Sequence, residues 1–240
     1  MEKPDRKDGR GLPVNLLSAD YLPYGLGTPD LVDVGDYKVH RDVLPYLEKL
    51  STLAASRGFS LRIESAYRSF ERQLSIWNRK ARGELPLLSA EGVPMPVPSD
   101  EEELMYAILT WSALPGASRH HLGTDLDIVD ANACPDNYEV QLTPAECDGM
   151  FAPFHTFLDG VFGSGEETSF GFNRVFVPGR GKIRPERWHV AHLPTSRKLL
   201  EAFSLDTLRD IYENTDIACK RVILARLDSL AEDYIYPYFV

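Results

Sequence analysis

The stretch Ser118-Arg119-His120-His121-Leu122-Gly123-Thr124-Asp125-Leu126-Asp127-Ile128 constrains the fold more than any other part of the chain. Leu126, Ile128 and Val129 interleave with two aspartates, which is the period of a short strand. Side chains alternate across a strand, so Asp125 and Asp127 share one face while Leu126 and Ile128 share the other. With the apolar pair packed inward, both carboxylates face a cleft. Gly123, just before the strand, permits a tight turn or a close backbone approach. His120 then sits in the preceding loop, within reach of a metal shared with Asp127. Taken alone, the stretch is equally compatible with an exposed strand edge carrying solvated aspartates.

A second stretch, Glu186-Arg187-Trp188-His189, changes the balance. Pro185 stops what precedes it, and residues 188–192 read as another strand. Glu186 lies three residues before His189, a spacing that places a carboxylate beside a metal without making it a ligand. Four of the six histidines (His120, His121, His189 and His192) fall in these two stretches. Together the stretches supply two histidines, one aspartate and a spare glutamate. That is the composition of a catalytic zinc site: three protein ligands, an open position, and a carboxylate to move protons.

These residues carry a resemblance. Ser118-x-His120-x-x-Gly123-x-x-x-Asp127 followed by Glu186-x-Trp188-His189 resembles the paired signature of the VanY-type zinc D-alanyl-D-alanine carboxypeptidases. That group is related to D-Ala-D-Ala dipeptidases, L,D-carboxypeptidases and some phage endolysins. The resemblance implies one Zn2+ per chain on His120, Asp127 and His189, with Glu186 as general base. Upstream, Ser65-Ala66-Tyr67-Arg68-Ser69-Phe70 with Gln73 is similar to the family's Tyr-Arg-Ser segment, whose arginine polarises substrate near the scissile bond. Arg68 suits that work because guanidinium stays charged and grips oxyanions in a fork. Phe170-Gly171-Phe172 is similar to the family's Tyr-Gly-Phe. Ser118, Gln73, Tyr67 and Asp125 are the expected substrate-binding residues. Two positions depart from the pattern. Asp125 stands where the family has Ala, and either orients a ligand or binds a substrate amine. His192 stands where an aromatic is common.

The formal net charge of −10 argues against nucleic acid or an anionic membrane as partner. No run approaches the length of a membrane span. Residues 1–11 are charged and lack the apolar core of a signal peptide, while the substrate class implied by the resemblance places the protein in the bacterial cell envelope or periplasm. Cys134, Cys147 and Cys219 form no CxxC pair, so thiolate zinc ligation is not expected, nor is a Cys134–Cys147 bridge.

The expected fold is α+β: a small antiparallel sheet carries the metal site, helices flank it, and a C-terminal helical extension packs on the domain. Residues 1–39 read as an irregular arm held by Tyr21, Tyr24 and Leu26, residues 40–193 as the peptidase domain, and residues 194–240 as the extension. Helices are expected over 41–57, from a Ser69 cap to 82, from a capping box at 99–102 to 114, and from a Thr143 box through a break near Pro153 to 162. The Pro-rich stretch 83–98 is a candidate lid or rim. Strands are expected over 59–64, 172–177 and a returning segment that includes Glu186.

The resemblance implies hydrolysis of the terminal D-alanine bond of peptidoglycan stem peptides by a monomer. The same residues serve an L,D-carboxypeptidase, dipeptidase or endopeptidase. A metal-stabilised domain that binds wall peptide without cutting it needs a fourth protein ligand, and His121, Asp125 and His192 are the candidates.

Overall fold

Leu126, Ile128 and Val190 decide which way the central sheet faces. All three are fully buried, in one apolar cluster with Leu47 and Leu50 on one side and Phe154 and Leu158 on the other. The opposite face of the same strands carries Asp125, Asp127 and His189. The computed structural model describes residues 19–27 and 29–240, so the readings for residues 1–18 lie outside the described residues.

A hairpin of β1 (Leu31–Val34) and β2 (Tyr37–His40) precedes α1 (Leu44–Ala55). Next come β3 (Leu61–Ser65), α2 (Phe70–Ala81), a small hairpin of β4 (Leu87–Leu88) and β5 (Pro94–Met95), and α3 (Glu101–Leu109). Strand β6 (Asp125–Asp130) leads to α4 (Pro144–Asp148), α5 (Ala152–Gly163) and α6 (Glu166–Ser169). Strands β7 (Phe172–Asn173) and β8 (His189–His192) are followed by α7 (Leu193–Leu200), α8 (Leu205–Glu213) and α9 (Lys220–Tyr234). The main sheet is antiparallel in the order β3-β6-β8-β7. This is the expected α+β class.

A second apolar cluster is separate from the first. Phe70 and Trp77 of α2, Met105 and Ile108 of α3, Leu208 and Ile211 of α8, and Ile223 and Leu227 of α9 are buried together. The C-terminal helices therefore share a core with α2 and α3. Tyr238 of the tail is also buried, with Phe176 and Ile183. Among the described residues no helix is long and apolar enough to cross a membrane. Cys134, Cys147 and Cys219 are free thiols.

Several local expectations need correction. Residues 31–40 form a hairpin rather than an irregular arm: Gly35-Asp36 is a two-residue turn with Gly35 at φ 59°, a signal masked by the surrounding Gly, Pro and Asp. Asp100, not Ser99, caps α3, accepting from the amides of Glu102 and Glu103. That helix ends at Leu109 rather than 114, since Trp111 donates to Ser89 O and Ala113 O accepts from Gln73, which draws the chain out of helical geometry. Pro153 begins α5 instead of breaking a helix, as a first-turn proline lacks only an amide that has no helical partner. Strand β7 is two residues long, and Glu186 lies in the loop before β8 rather than within a strand.

Candidate metal centre

Register brings the acidic and histidine positions together. Asp127 pairs with His189 across the antiparallel β6–β8 ladder, and Asp125 pairs with Ala191. Directly opposed residues project to the same side, so His189 stands between the two aspartates. Its Nε2 lies 2.9 Å from Asp125 Oδ1, and its Nδ1 lies 3.1 Å from Asp127 Oδ1.

His120 arrives from a turn, 119–122, ended by Gly123 at φ 69°. A side chain at 123 would come within 2.7 Å of Leu31 Cδ2, and Gly123 O accepts from the His40 amide, so both the left-handed backbone and the close approach require glycine. His120 Nδ1 is 2.9 Å from Ala66 O. A carbonyl only accepts, so Nδ1 carries the proton and Nε2 presents a bare lone pair, 3.3 Å from Asp127 Oδ2. Donor atoms of His120, Asp127 and His189 all lie within 4.8 Å of one another and form a group able to hold a metal ion. Glu186 Oε2 is 3.9 Å from His189 Nδ1, beside the group but outside it.

The electrostatics fit a cation. Burial works against charge on His189, yet the hydrogen bonds it donates to Asp125 and Asp127 raise it to about 9. Burial would raise Asp127, but His120 and His189 hold it well below the usual carboxylate range. The His189 Nδ1 proton thus lies between two groups that also suit a divalent ion, the donors being two imidazoles and a carboxylate. Burial, aided by Asp127, pushes Glu186 up to about 8, against His189 and Arg68.

Asp125 is fully buried and has no oxygen to offer a substrate. Arg119 Nε reaches Oδ1 at 2.6 Å, and Thr124 Oγ1 donates to Oδ2 at 2.7 Å. Burial alone would raise its pKa, but Arg119 and His189 bring it to about 2. It orients His189, the first of the two roles open for it, and the substrate-binding expectation is corrected. Arg119 also donates to Tyr238 O at 2.6 Å, so the C-terminal tail braces the aspartate that braces the histidine. Sequence reasoning missed Arg119, although its place inside the motif was a signal.

Arg68 is held from four directions. Its amide donates to His120 O, and its carbonyl accepts from His121 Nδ1. Its guanidinium donates from Nη1 to Gln73 Oε1 at 2.8 Å and from Nη2 to Ser65 Oγ at 3.1 Å. Gln73, fully buried, donates from Nε2 to Ala113 O at 2.7 Å. Gln73 thus positions Arg68 rather than meeting substrate. Tyr67 does not line the cleft; its amide donates to Lys38 O and ties the loop to β2. Ser118 does line the cleft, together with Arg68, His120, Asp127 and Glu186, around a space of about 240 Å³. Leu88, from the Pro-rich stretch 83–98, forms part of the rim.

The three candidates for a fourth ligand point elsewhere. His121 Nε2 accepts from the Gly116 amide, Asp125 is engaged as above, and His192 Nδ1 faces Thr195 Oγ1 at 2.9 Å. Among the described residues the metal-competent group has three members.

Comparison with known proteins places the chain in a family. The family model VanY, D-alanyl-D-alanine carboxypeptidase, matches residues 36–195. An uncharacterized protein of Haemophilus influenzae is 28% identical over 128 residues, which is 52% of this chain and 95% of that protein. A second Haemophilus influenzae protein, also uncharacterized, is 40% identical over 68 residues, 28% of this chain and 47% of that protein. Among solved structures, VanYB in complex with D-alanine-D-alanine is similar at TM-score 0.48 and 22% identity, covering 79% of this chain and 90% of that one. The LdcB LD-carboxypeptidase is similar at TM-score 0.46 and 17% identity, covering 80% and 74%. With two thirds of its length in that one match, the chain belongs to the VanY family of D-alanyl-D-alanine carboxypeptidases.

Proposed function

We propose that this protein is a zinc-dependent metallopeptidase that removes the terminal D-alanine from peptidoglycan stem peptides, at the bacterial cell envelope. The observation that carries the reading is the convergence of His120 Nε2, His189 Nδ1 and the Asp127 carboxylate, with Glu186 adjacent but free. These three residues would hold the ion. When bound, zinc supplies Lewis acidity that acidifies water and polarises a carbonyl.

The chain's own groups account for the rest. Glu186 holds and returns a proton, first as base toward water and then as acid toward the leaving amine. A cation beside it favours its carboxylate form, which opposes the effect of burial. Arg68, fixed by Gln73 and Ser65, presents permanent positive charge to substrate oxygen. Asp125 holds His189 Nε2 and so leaves Nδ1 to the metal side. Family membership, rather than the geometry, selects the D-alanyl bond. A purely binding domain is the weaker reading, because a closed structural site needs a fourth protein ligand.

The test is D-alanine release from a stem pentapeptide by wild type, chelator-treated protein and Glu186→Ala. Wild type should release D-alanine, and the other two should fall by at least about 10²-fold while remaining folded. Equal release by Glu186→Ala and wild type would remove Glu186 as base. No release by zinc-loaded wild type would overturn the bond assignment.

A further inference from the structure

Behind the cleft lining lies a second cation that the chemistry above does not use. Lys80, in the last turn of α2, donates from Nζ to Ser112 Oγ at 2.6 Å. Among the described residues it forms no ion pair. Ser112 is 9% exposed and lines the cleft together with Arg68, His120 and Glu186.

The direction of that hydrogen bond matters. An ammonium has protons and no lone pair, so Lys80 must donate and Ser112 must accept. A hydroxyl has one proton of its own, and among the described residues no acceptor takes the one on Ser112. The Ser112 O–H is therefore a donor available to the cleft, polarised by a cation on its oxygen.

Arg68 is in a comparable state. Its guanidinium meets the neutral oxygens of Gln73 and Ser65, and no carboxylate pairs with it among the described residues. Burial lowers the Lys80 pKa and repulsion from Arg68 lowers it further, against the attraction of the Glu186 carboxylate. Two largely buried cations, attracted by Glu186 from a distance but hydrogen-bonded only to neutral oxygens, are stabilised further by an anion that arrives from outside.

We propose that Ser112 is a substrate-binding residue that donates a hydrogen bond to the α-carboxylate of the peptide's C-terminal residue, and that Lys80 positions it. Arg68 and the Lys80–Ser112 pair then select peptides with a free C-terminal carboxylate. Ser112 touches the ligand, whereas Lys80 acts through Ser112. This proposal rests on the peptidase reading of the same cleft.

The experiment compares a stem pentapeptide having a free C-terminal carboxylate with its C-terminal amide, following D-alanine and D-alaninamide release. Wild type should prefer the acid. Ser112→Ala and Lys80→Met should each lower the acid-to-amide preference about tenfold, mainly through KM for the acid, the scale of one hydrogen bond to a charged group. Ser112→Thr, which keeps the hydroxyl, and Lys80→Arg, which keeps the charge, should retain most of the preference. General structural damage would slow both peptides alike and leave the preference unchanged. An unchanged preference in Ser112→Ala and Lys80→Met overturns the proposal. If zinc-loaded wild type releases nothing from either peptide, calorimetric binding of the same two peptides decides. Tighter binding of the acid that Ser112→Ala abolishes upholds the carboxylate contact while the peptidase reading fails. Equal binding of acid and amide, or binding of neither, overturns the contact as well.

Discussion

The β6–β8 wall of the cleft and its α2 wall carry opposite charges, and the chain treats them differently. On the β6–β8 wall each anion has a charged or strongly polar partner within the chain. Asp125 takes Arg119, Thr124 and His189; Asp127 takes His120 and His189. On the α2 wall the cations Arg68 and Lys80 hydrogen-bond only to the neutral oxygens of Gln73, Ser65 and Ser112, with Glu186 attracting both from a distance. The first wall balances its charge through the proton that His189 carries, which a metal ion can replace. The second is balanced by what binds. On the proposed reading, a peptide would be oriented with its carboxylate toward Arg68 and Ser112 and its scissile bond toward His120, Asp127 and His189.

The sharpest way to break the comparison is to remove charge from the balanced wall. In Asp125→Asn the partner of His189 Nε2 becomes neutral, and the tautomer that presents Nδ1 is no longer enforced. Zinc affinity, measured by competition with a chromogenic chelator, should fall about 10–100-fold, the usual cost of losing a carboxylate behind a ligating histidine. A change of less than about twofold, with the fold confirmed by circular dichroism, would show that Asp125 balances Arg119 and does nothing for the metal centre.

The opposite manipulation gives the α2 wall an anion of its own. Gln73→Glu keeps the shape of the residue that already touches Arg68 Nη1, but supplies the carboxylate Arg68 lacks. The internal anion should compete with the substrate's, raising KM for a free-carboxylate pentapeptide by roughly tenfold, with a smaller effect on the C-terminal amide. Should acid and amide respond equally, Arg68 is not reserved for a carboxylate.

What was legible in the sequence follows this same division. Asp125, Asp127 and His189 were readable because strand alternation is local and one register places all three on one face. His120 and Gly123 were readable because a tight turn before a strand demands such a glycine. The role of Lys80 and Ser112 was not, since they lie 32 residues apart and meet only where α2 packs against the segment after α3. Arg119 hid in plain view: its partner Tyr238 O is 119 residues away, in a tail that showed no chemistry of its own. Glu186 was assigned its neighbourhood correctly but the wrong element. A proline and two arginines around it mark a loop more than a strand.

The smallest effect concerns a buried polar group outside the cleft, which shows why lack of a partner alone does not make a site. His155 is fully buried among aromatic rings, including Phe151 and Phe154, and neither ring nitrogen has a partner among the described residues. Burial, with Arg174 and Arg187 adding repulsion, lowers it from 6.5 to about 3. The unfolded chain therefore binds a proton between pH 6.5 and 3 that the folded chain refuses. Stability contributed by the neutral ring is complete above pH 6.5 and is lost as pH falls, by at most about 1.4 kcal/mol per pH unit. His155→Phe cannot take up that proton in either state. In urea titrations at pH 7.5, 6, 5 and 4, the variant should gain stability relative to wild type at each step down, with no gain above 6.5. A constant difference across that range would mean the folded protein protonates His155 as readily as the unfolded chain does. Arg68 and the Ser112 hydroxyl that Lys80 holds differ from His155 in one respect that decides function: they line a cleft, so the missing partner can be a ligand. For His155 the energetic solution is to stay neutral, and its only expected signature is the pH slope.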